Sequence, residues 1–239
     1  MSTLFISDLH LSQEQPEITE LFLTFLQHHA VNAEALYILG DLFEVWLGDD
    51  MILPDYQSSI LQIRALVDSG TPVYIMYGNR DFLMRKQFEK LSGAQLIYEP
   101  YLIDLAGTKT LLLHGDTLCT DDVEYQKFRT MVRNPKWQDE MLSKPPDERL
   151  ALAKKFREIS KTATAQKEND IMDVNQDAVL QAMRENKVTN LIHGHTHRPD
   201  THNFMIDDNK ATRTVLADWG KTGSYLQVDE SGYHMHNVE

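Results

Sequence analysis

Five short blocks of the chain end an apolar run of strand length on Asp, His or Asn. They are Thr3-Leu-Phe-Ile-Ser-Asp8-Leu-His10, Leu36-Tyr-Ile-Leu-Gly40-Asp41, Val73-Tyr-Ile-Met-Tyr-Gly78-Asn79-Arg80-Asp81, Leu111-Leu-Leu-His114-Gly115-Asp116 and Leu191-Ile-His193-Gly194-His195-Thr196-His197. Together they offer Asp8, His10, Asp41, Asn79, His114, His195 and His197, enough donors for two cations of about four to six ligands each. Imidazole, carboxylate and amide without thiolate suit Mn, Fe or Zn and argue against a structural zinc site. Asp41 is the natural bridge, because the two oxygens of one carboxylate can each face a different metal. Two cations about 3.5 to 4 Å apart can clamp both the attacking and the departing oxygen of a phosphoryl displacement. Any one block alone is ordinary: a capping Asp or a surface His after a strand needs no function. Five at successive strand ends ask for a common explanation.

Strand ends can share a site if the strands lie in an α/β fold, where their carboxyl ends border one crevice. The chain has the alternation that such a fold needs. After the first strand, Ile18, Leu21, Phe22, Phe25 and Leu26 recur at helical spacing behind Pro16. A second helix is expected near Gln57 to Asp68, closed by Ser69-Gly70, and a third from about Leu83 to Leu91. Residues 44–54 are acidic, carry Trp46, Gly48 and Pro54, and are expected to be a loop at the site. Tyr101 to Leu105 and Thr110 to His114 look like an antiparallel hairpin through Gly107-Thr108. The rhythm then changes to helices: one capped by Asp121 or Asp122, a turn-like interval from Asn134 to Asp147, and a charged helix from Glu148 to Lys167. This interruption, at about residues 121–168, is expected to be a helical lid inserted in a single domain of residues 1–239. A helix from Ile171 to Arg184, the strand ending at His193 and three strands near His202 to Ile206, Thr212 to Ala217 and Ser224 to Val228 are expected to complete a second sheet.

The chain has 239 residues, 42% of them hydrophobic, which is ample for a packed core. No apolar run approaches the ~20 residues that cross a bilayer, and no basic region precedes the first strand, so neither export nor a membrane span is expected. Cys119 is the only cysteine, which excludes an internal disulfide and fits a reducing cytoplasm. A formal net charge of −13 argues against nucleic acid as a partner. A small anionic substrate stays compatible if metals and local cations neutralise it.

Asp8-x-His10, Gly40-Asp41, Gly78-Asn79-Arg80-Asp81, His114-Gly115-Asp116 and Gly194-His195-Thr196-His197 resemble the signature of the calcineurin-like metallophosphoesterases. The longer stretches around Gly40-Asp41, Gly78-Asn79, His114-Gly115, Ile171-Met-Asp-Val-Asn-Gln and Ile192-His-Gly-His-Thr-His-Arg-Pro are similar to the UDP-2,3-diacylglucosamine pyrophosphatase family of lipid A biosynthesis. The resemblance implies a four-layer α/β/β/α sandwich of two mixed sheets and a lid. It also implies two Mn²⁺ per chain and hydrolysis of an acylated UDP-sugar lipid to UMP and a diacylglucosamine 1-phosphate. It assigns Asp8, His10, Asp41 and His197 to one metal and Asp41, Asn79, His114 and His195 to the other. Arg80 would hold a diphosphate oxygen, since a guanidinium fork matches phosphate geometry, beside Asn79 and His195. In the lid it points to Asp122, Ser160, Thr164 and Lys167 as substrate-binding. Spacing adds Arg157, which shares a helix face with Ser160, Thr164 and Lys167.

Such a lid is usually apolar and basic, whereas Trp137-Gln-Asp-Glu-Met-Leu-Ser-Lys-Pro-Pro-Asp-Glu-Arg is short of both, so a peripheral contact with the inner membrane is less firmly implied than the chemistry. Leu142, Leu150, Leu152 and Phe156 are candidate walls for acyl chains. His28-His29, Asp49-Asp50, His193, His202, His234 and His236 are expected to be structural or solvated. Asp81 is expected to orient Arg80 or a ligand histidine. Phosphomonoesterases of the superfamily often place a histidine where Arg80 stands, so a diphosphate is favoured over a monoester. The rival readings are a soluble nucleotide-sugar pyrophosphatase, a cyclic-nucleotide phosphodiesterase, or a scaffold that has lost its metals.

Overall fold

The computed structural model describes residues 2–159 and 173–238 in full and residues 160–165 by their backbone. The first half alternates as the apolar periodicity demands: β1 (Thr3–Ile6), α1 (Pro16–His28), β2 (Ala35–Leu39), α2 (Gln57–Asp68), β3 (Val73–Met76), α3 (Lys86–Ser92) and β4 (Gln95–Ile97). A hairpin follows, β5 (Tyr101–Leu105) and β6 (Thr108–Leu112), paired with Tyr101 opposite Leu112. Three helices come next, α4 (Val123–Val132), α5 (Pro135–Leu142) and α6 (Pro146–Ala165), and then α7 (Gln176–Asn186). The chain ends with β7 (Asn190–His193), β8 (Asp200–Ile206), β9 (Asn209–Val215), β10 (Gly223–Asp229) and β11 (Gly232–Val238).

The strands form two mixed sheets, in the orders β11-β10-β1-β2-β3-β4 and β5-β6-β7-β9-β8. β1 to β4 run parallel, as do β6, β7 and β9. Parallel strands need cover on both faces, and β1 and β2 are buried at every residue. Three apolar clusters supply that cover. Phe22, Phe25, Ile60, Ile63 and Phe88 of α1, α2 and α3 pack on Ile6, Ile38 and Ile75 of the first sheet. Phe5, Leu39, Met76, Leu112, Ile192 and Leu226 fill the space between the sheets. Val179 and Met183 of α7 cover Leu111, Leu191 and Ala211 on the far face of the second sheet. The layers are therefore α/β/β/α.

Three expectations fail in whole or in part. The last strands do not all join the second sheet: β10 pairs antiparallel with β1, Leu226 opposite Phe5, and β11 pairs with β10. Alternation shows that such a strand has an inward face but not which sheet receives it. The crossing is fixed at the site itself, where Trp219 N donates to Asp8 O at 3.1 Å. The interval read as turn-like holds α5, because Asn134 caps it by accepting from Lys136 N at 2.9 Å and Pro135 begins it, a position where proline costs nothing. The seventh helix begins at Gln176, with Asn175 as its cap; Ile171 lies outside the described residues.

Ile192 is fully buried in the layer that the two sheets share. Ile192→Ala is expected to destabilise the fold by about 2–5 kcal/mol in denaturant unfolding; a loss below about 1 kcal/mol would show that the sheets do not share one core.

Candidate metal centre and the cavity beside it

The carboxyl ends of β1, β2 and β3 face those of β6 and β7, and the five blocks meet there. The backbone turns hard at these points. Asp8, His10, Asp41, His195 and His197 all have φ between 51° and 70°, the left-handed region that Asp, Asn and His tolerate better than most residues. Two glycines make room instead. A Cβ on Gly78 would stand 1.9 Å from Asp41 Oδ1, and one on Gly194 would stand 2.3 Å from Asp8 Oδ2. Small residues next to Asp41 and Asp8 are thus a steric condition of the site.

Asp41 Oδ2 lies 3.8 Å from His10 Nε2 and 3.9 Å from His114 Nε2, between the two halves of the cluster. His197 Nε2 is 3.5 Å from Asp8 Oδ1, and His114 Nε2 is 3.1 Å from Asn79 Oδ1. Donor atoms of Asp8, His10 and His197, and of Asp8, Asp41 and His114, lie within 4.8 Å of one another. The His195 ring stands 4.9 Å from that of His114. Asp8 Oδ1 and His10 Nε2 are buried with no hydrogen-bond partner. Orphaned donors and acceptors of this kind, aimed at a common point, fit divalent cations held by oxygen and imidazole.

The supporting contacts aim the histidines. His114 Nδ1 is 2.8 Å from Leu39 O, His10 Nδ1 is 3.1 Å from Glu44 Oε2, and His197 Nδ1 is 3.3 Å from Asp218 Oδ2. With the proton on each Nδ1, each Nε2 lone pair points inward, the arrangement that metal-binding histidines use. Burial alone would lower the His114 pKa, but the carboxylates of Asp41, Asp116, Asp8 and Glu99 raise it to about 9. Burial pushes His195 down to about 4. The surplus of carboxylate around His114 is a field that favours bound cations.

Asp81 does something other than expected. It orients neither Arg80 nor a histidine; its Oδ1 accepts from Gly78 N and its Oδ2 from Leu42 N, both at 2.8 Å, so one buried carboxylate ties the Asn79 turn to the Asp41 turn. Arg80 N in turn donates to Asp41 Oδ1 at 2.8 Å. The Arg80 guanidinium faces Glu44 Oε1 at 3.7 Å, and Arg157 reaches the same oxygen at 2.9 Å. Asp122 caps α4 by accepting from Tyr125 N at 3.0 Å. The Ser160 and Thr164 side chains and all of Lys167 lie outside the described residues.

Sequence reasoning missed Glu44, Asp218 and the cluster behind His114. There, Glu99 Oε2 accepts from His114 N at 3.0 Å and pairs with Arg129, which also donates to Asp116 Oδ2 at 2.8 Å. Asp218 had a signal, since Val215-Leu216-Ala217-Asp218 repeats the same strand-end grammar. Glu44 had none. Of the residues set aside, the carboxylate pair is structural: Asp49 caps α3 through Arg85 N and Phe88 N at 3.0 and 2.9 Å, and Asp50 pairs with Arg149.

Beside the cluster lies a cavity of about 950 Å³. Asn79, Arg80, Asp122 and Arg157 line its polar end, and Phe82, Phe128, Trp137, Met141, Leu150 and Phe156 its apolar walls. Phe156 of α6 packs on Phe128 of α4 and Trp137 of α5, with ring centroids 5.5 and 6.2 Å apart. Leu142 and Leu152, named as possible walls, pack against the first core instead. The roof is tied down at two places. Arg133 Nη2 donates to Gly78 O at 2.8 Å, and Arg149, only 3% exposed, donates to Leu47 O at 2.8 Å and grips Asp50.

The model of the calcineurin-like phosphoesterase family matches residues 1–199. The chain belongs to this family. The phosphoesterase is 49% identical over 97% of its length to the UDP-2,3-diacylglucosamine hydrolase of Pseudomonas fluorescens (strain SBW25), 93% of which is covered. It is 50% identical over 95% of its length to the enzyme of that name from Serratia proteamaculans, 95% of which is covered. A solved archaeal phosphodiesterase, 13% identical, superposes over the whole of both chains with a TM-score of 0.51, a likeness of fold. The phosphoesterase is a hydrolase that uses divalent metal. Among the described residues, no helix is long and apolar enough to cross a membrane.

Asp41→Ala is expected to bring the metal content of the purified protein, by elemental analysis, well below that of the wild type and to abolish turnover. Unchanged metal content with ordinary turnover would remove Asp41 from the centre.

Proposed function

We propose that this chain hydrolyses the diphosphate of UDP-2,3-diacylglucosamine to UMP and 2,3-diacylglucosamine 1-phosphate (lipid X), using two Mn²⁺, within lipid A biosynthesis. The observation that carries this reading is the joining of two environments in one cavity: Asn79, Arg80 and Arg157 at one end and an aromatic and aliphatic chamber at the other. A nucleotide sugar without acyl chains would leave that chamber unused, and so would a cyclic nucleotide. The names of the relatives support the same substrate.

When bound by Asp8, His10, Asp41, Asn79, His114, His195 and His197, the cations would supply Lewis acidity, polarising phosphoryl oxygens and acidifying water. The rest falls to the chain's own groups. Arg80 presents a planar fork to the diphosphate, and Glu44 holds that guanidinium and the Arg157 guanidinium close together before substrate arrives. Asn79 and His195 would meet the same phosphoryl group from the strand ends. The departing group is a phosphate, which leaves without needing a proton, so Arg80 can stand where a monoesterase needs an acid. Asp122, Ser160, Thr164 and Lys167 would hold the sugar and phosphate from the lid, residues 121–168. Val123 and Ile159, 56% and 55% exposed on α4 and α6, support a peripheral encounter with the cytoplasmic face of the inner membrane.

UMP release from the acylated substrate and from its unacylated UDP-sugar separates these readings. Each methylene buried in the chamber is worth about 0.8 kcal/mol, so loss of only four of them lowers kcat/KM by about 10². Equal rates on the two substrates would sink the lipid assignment.

Arg80→Ala is expected to lower kcat by about 10² to 10³, the usual cost of removing a preorganised donor to developing charge. Metal content and thermal melting should stay at wild-type values. A folded, metal-loaded Arg80→Ala protein with near-normal kcat would make Arg80 a turn residue only.

A further inference from the structure

Three of the candidate ligands, Asn79, His114 and His195, stand together: His114 Nε2 is 3.1 Å from Asn79 Oδ1, and the rings of His114 and His195 are 4.9 Å apart. One stripe of α4 reaches the supports of all three. Tyr125, Arg129 and Arg133 follow one another at four-residue spacing, which puts them on one face of the helix and its C-cap.

Arg133 donates from Nη2 to Gly78 O at 2.8 Å and so holds the peptide between Gly78 and Asn79. Arg129 pairs with Glu99, whose Oε2 accepts from His114 N at 3.0 Å, and donates from Nε to Asp116 Oδ2 at 2.8 Å. The Tyr125 hydroxyl donates to the same Asp116 oxygen at 2.7 Å, and the Tyr125 ring lies over that of His195 with centroids 5.9 Å apart. Asn79, His114 and His195 are thus each braced by a different residue of the stripe. Glu99 and Asp116 are two carboxylates taken largely out of water behind His114, and removing the cation that both grip would leave their charge buried and unpaired. Arg129 is the one cation within ion-pair distance of either among the described residues, and Arg133 acts on both from farther away.

The ligands Asp8, His10 and His197 are supported from elsewhere. His10 Nδ1 faces Glu44 Oε2, His197 Nδ1 faces Asp218 Oδ2, and Trp219 N donates to Asp8 O. None of these supports lies in α4. Among the described residues, α6 touches them through Arg157, which meets the other oxygen of Glu44.

We propose that Tyr125, Arg129 and Arg133 are positioning residues for one cation of the pair, the one that Asn79, His114 and His195 would hold with Asp41, and that they leave the other cation untouched. This rests on the two-cation reading above and not on the lipid substrate. α4 also lends Tyr125 and Phe128 to the chamber, so the helix that shapes the place of the substrate seats half of the centre as well.

Titration of the metal-stripped chain with Mn²⁺, with the free ion counted by its paramagnetic resonance, tests this for Arg129→Gln in three backgrounds: the otherwise wild-type chain, His10→Ala and His114→Ala. Loss of a group that supports a metal ligand typically lowers affinity about 10- to 100-fold, so Arg129→Gln is expected to weaken one of the two ions by about that factor in the wild-type background. The ion left in His10→Ala should weaken by as much, and the ion left in His114→Ala should bind as before. Equal losses in the His10→Ala and His114→Ala backgrounds are what a general loosening of the fold would give and overturn the proposal, as does no loss in His10→Ala. If either single-site chain holds no ion, the wild-type background decides: one ion weakened supports the proposal, and both or neither weakened overturns it. A wild-type chain that takes only one ion overturns the two-cation reading and this proposal with it, whereas the other adverse outcomes overturn the proposal alone. Should Arg129→Gln not fold, Arg133→Met, which leaves Glu99, Arg129 and Asp116 whole, is read the same way.

Discussion

The centre depends on a backbone that turns the wrong way at the right places. Asp8, His10, Asp41, His195 and His197 hold left-handed φ angles at strand ends, a conformation that costs a non-glycine residue on the order of 1 kcal/mol or more. The surroundings impose it. Backbone bonds from Asp8 N to Gly40 O, His10 N to Asp41 O and Trp219 N to Asp8 O stitch the turns together, and the Asp81 carboxylate ties two of them through amides. Relaxing one turn would break bonds in its neighbours, so the strain is spread over a network no single residue could support.

The same network explains the electrostatics. Buried carboxylates are unfavourable unless something positive or hydrogen-bonding meets them. Asp81 and Glu99 meet amides; Asp116 meets Arg129 and the Tyr125 hydroxyl. Asp8 Oδ1 meets no hydrogen-bond donor, and Asp41 Oδ2 faces imidazole nitrogens nearly 4 Å away. The groups left poorly compensated at the crevice are those that a cation would complete, while the paired ones behind them hold them in place.

Much of this was written locally in the chain. Residue types at five strand ends pointed to one crevice, and apolar periodicity marked β1, β2, β3, the β5–β6 hairpin and α1 and α2, because those signals depend only on neighbours in sequence; the three-residue β4 was too short to show one. What escaped notice depends on distant partners. Nothing near Glu44 says that it will face His10, Arg80 and Arg157 together. The destination of β10 was hidden because an inward-facing strand satisfies either sheet. Asp81 was assigned to side chains and in fact binds amides, a choice set by how closely the Gly78 and Leu42 turns approach.

Arg149 gives the roof of the chamber an unusual attachment. Its guanidinium is sunk among Leu47 O, Lys144 O and the Asp50 carboxylate, so the start of α6 is pinned to the loop that also carries Glu44. A roof fastened in this way behaves as a ruler, not as a cushion. The depth of the chamber is set before any guest arrives, little ordering entropy is left to lose on entry, and a chain longer than the chamber must leave its end outside. Selectivity for length would then reside in a polar clamp that touches no part of the molecule being measured.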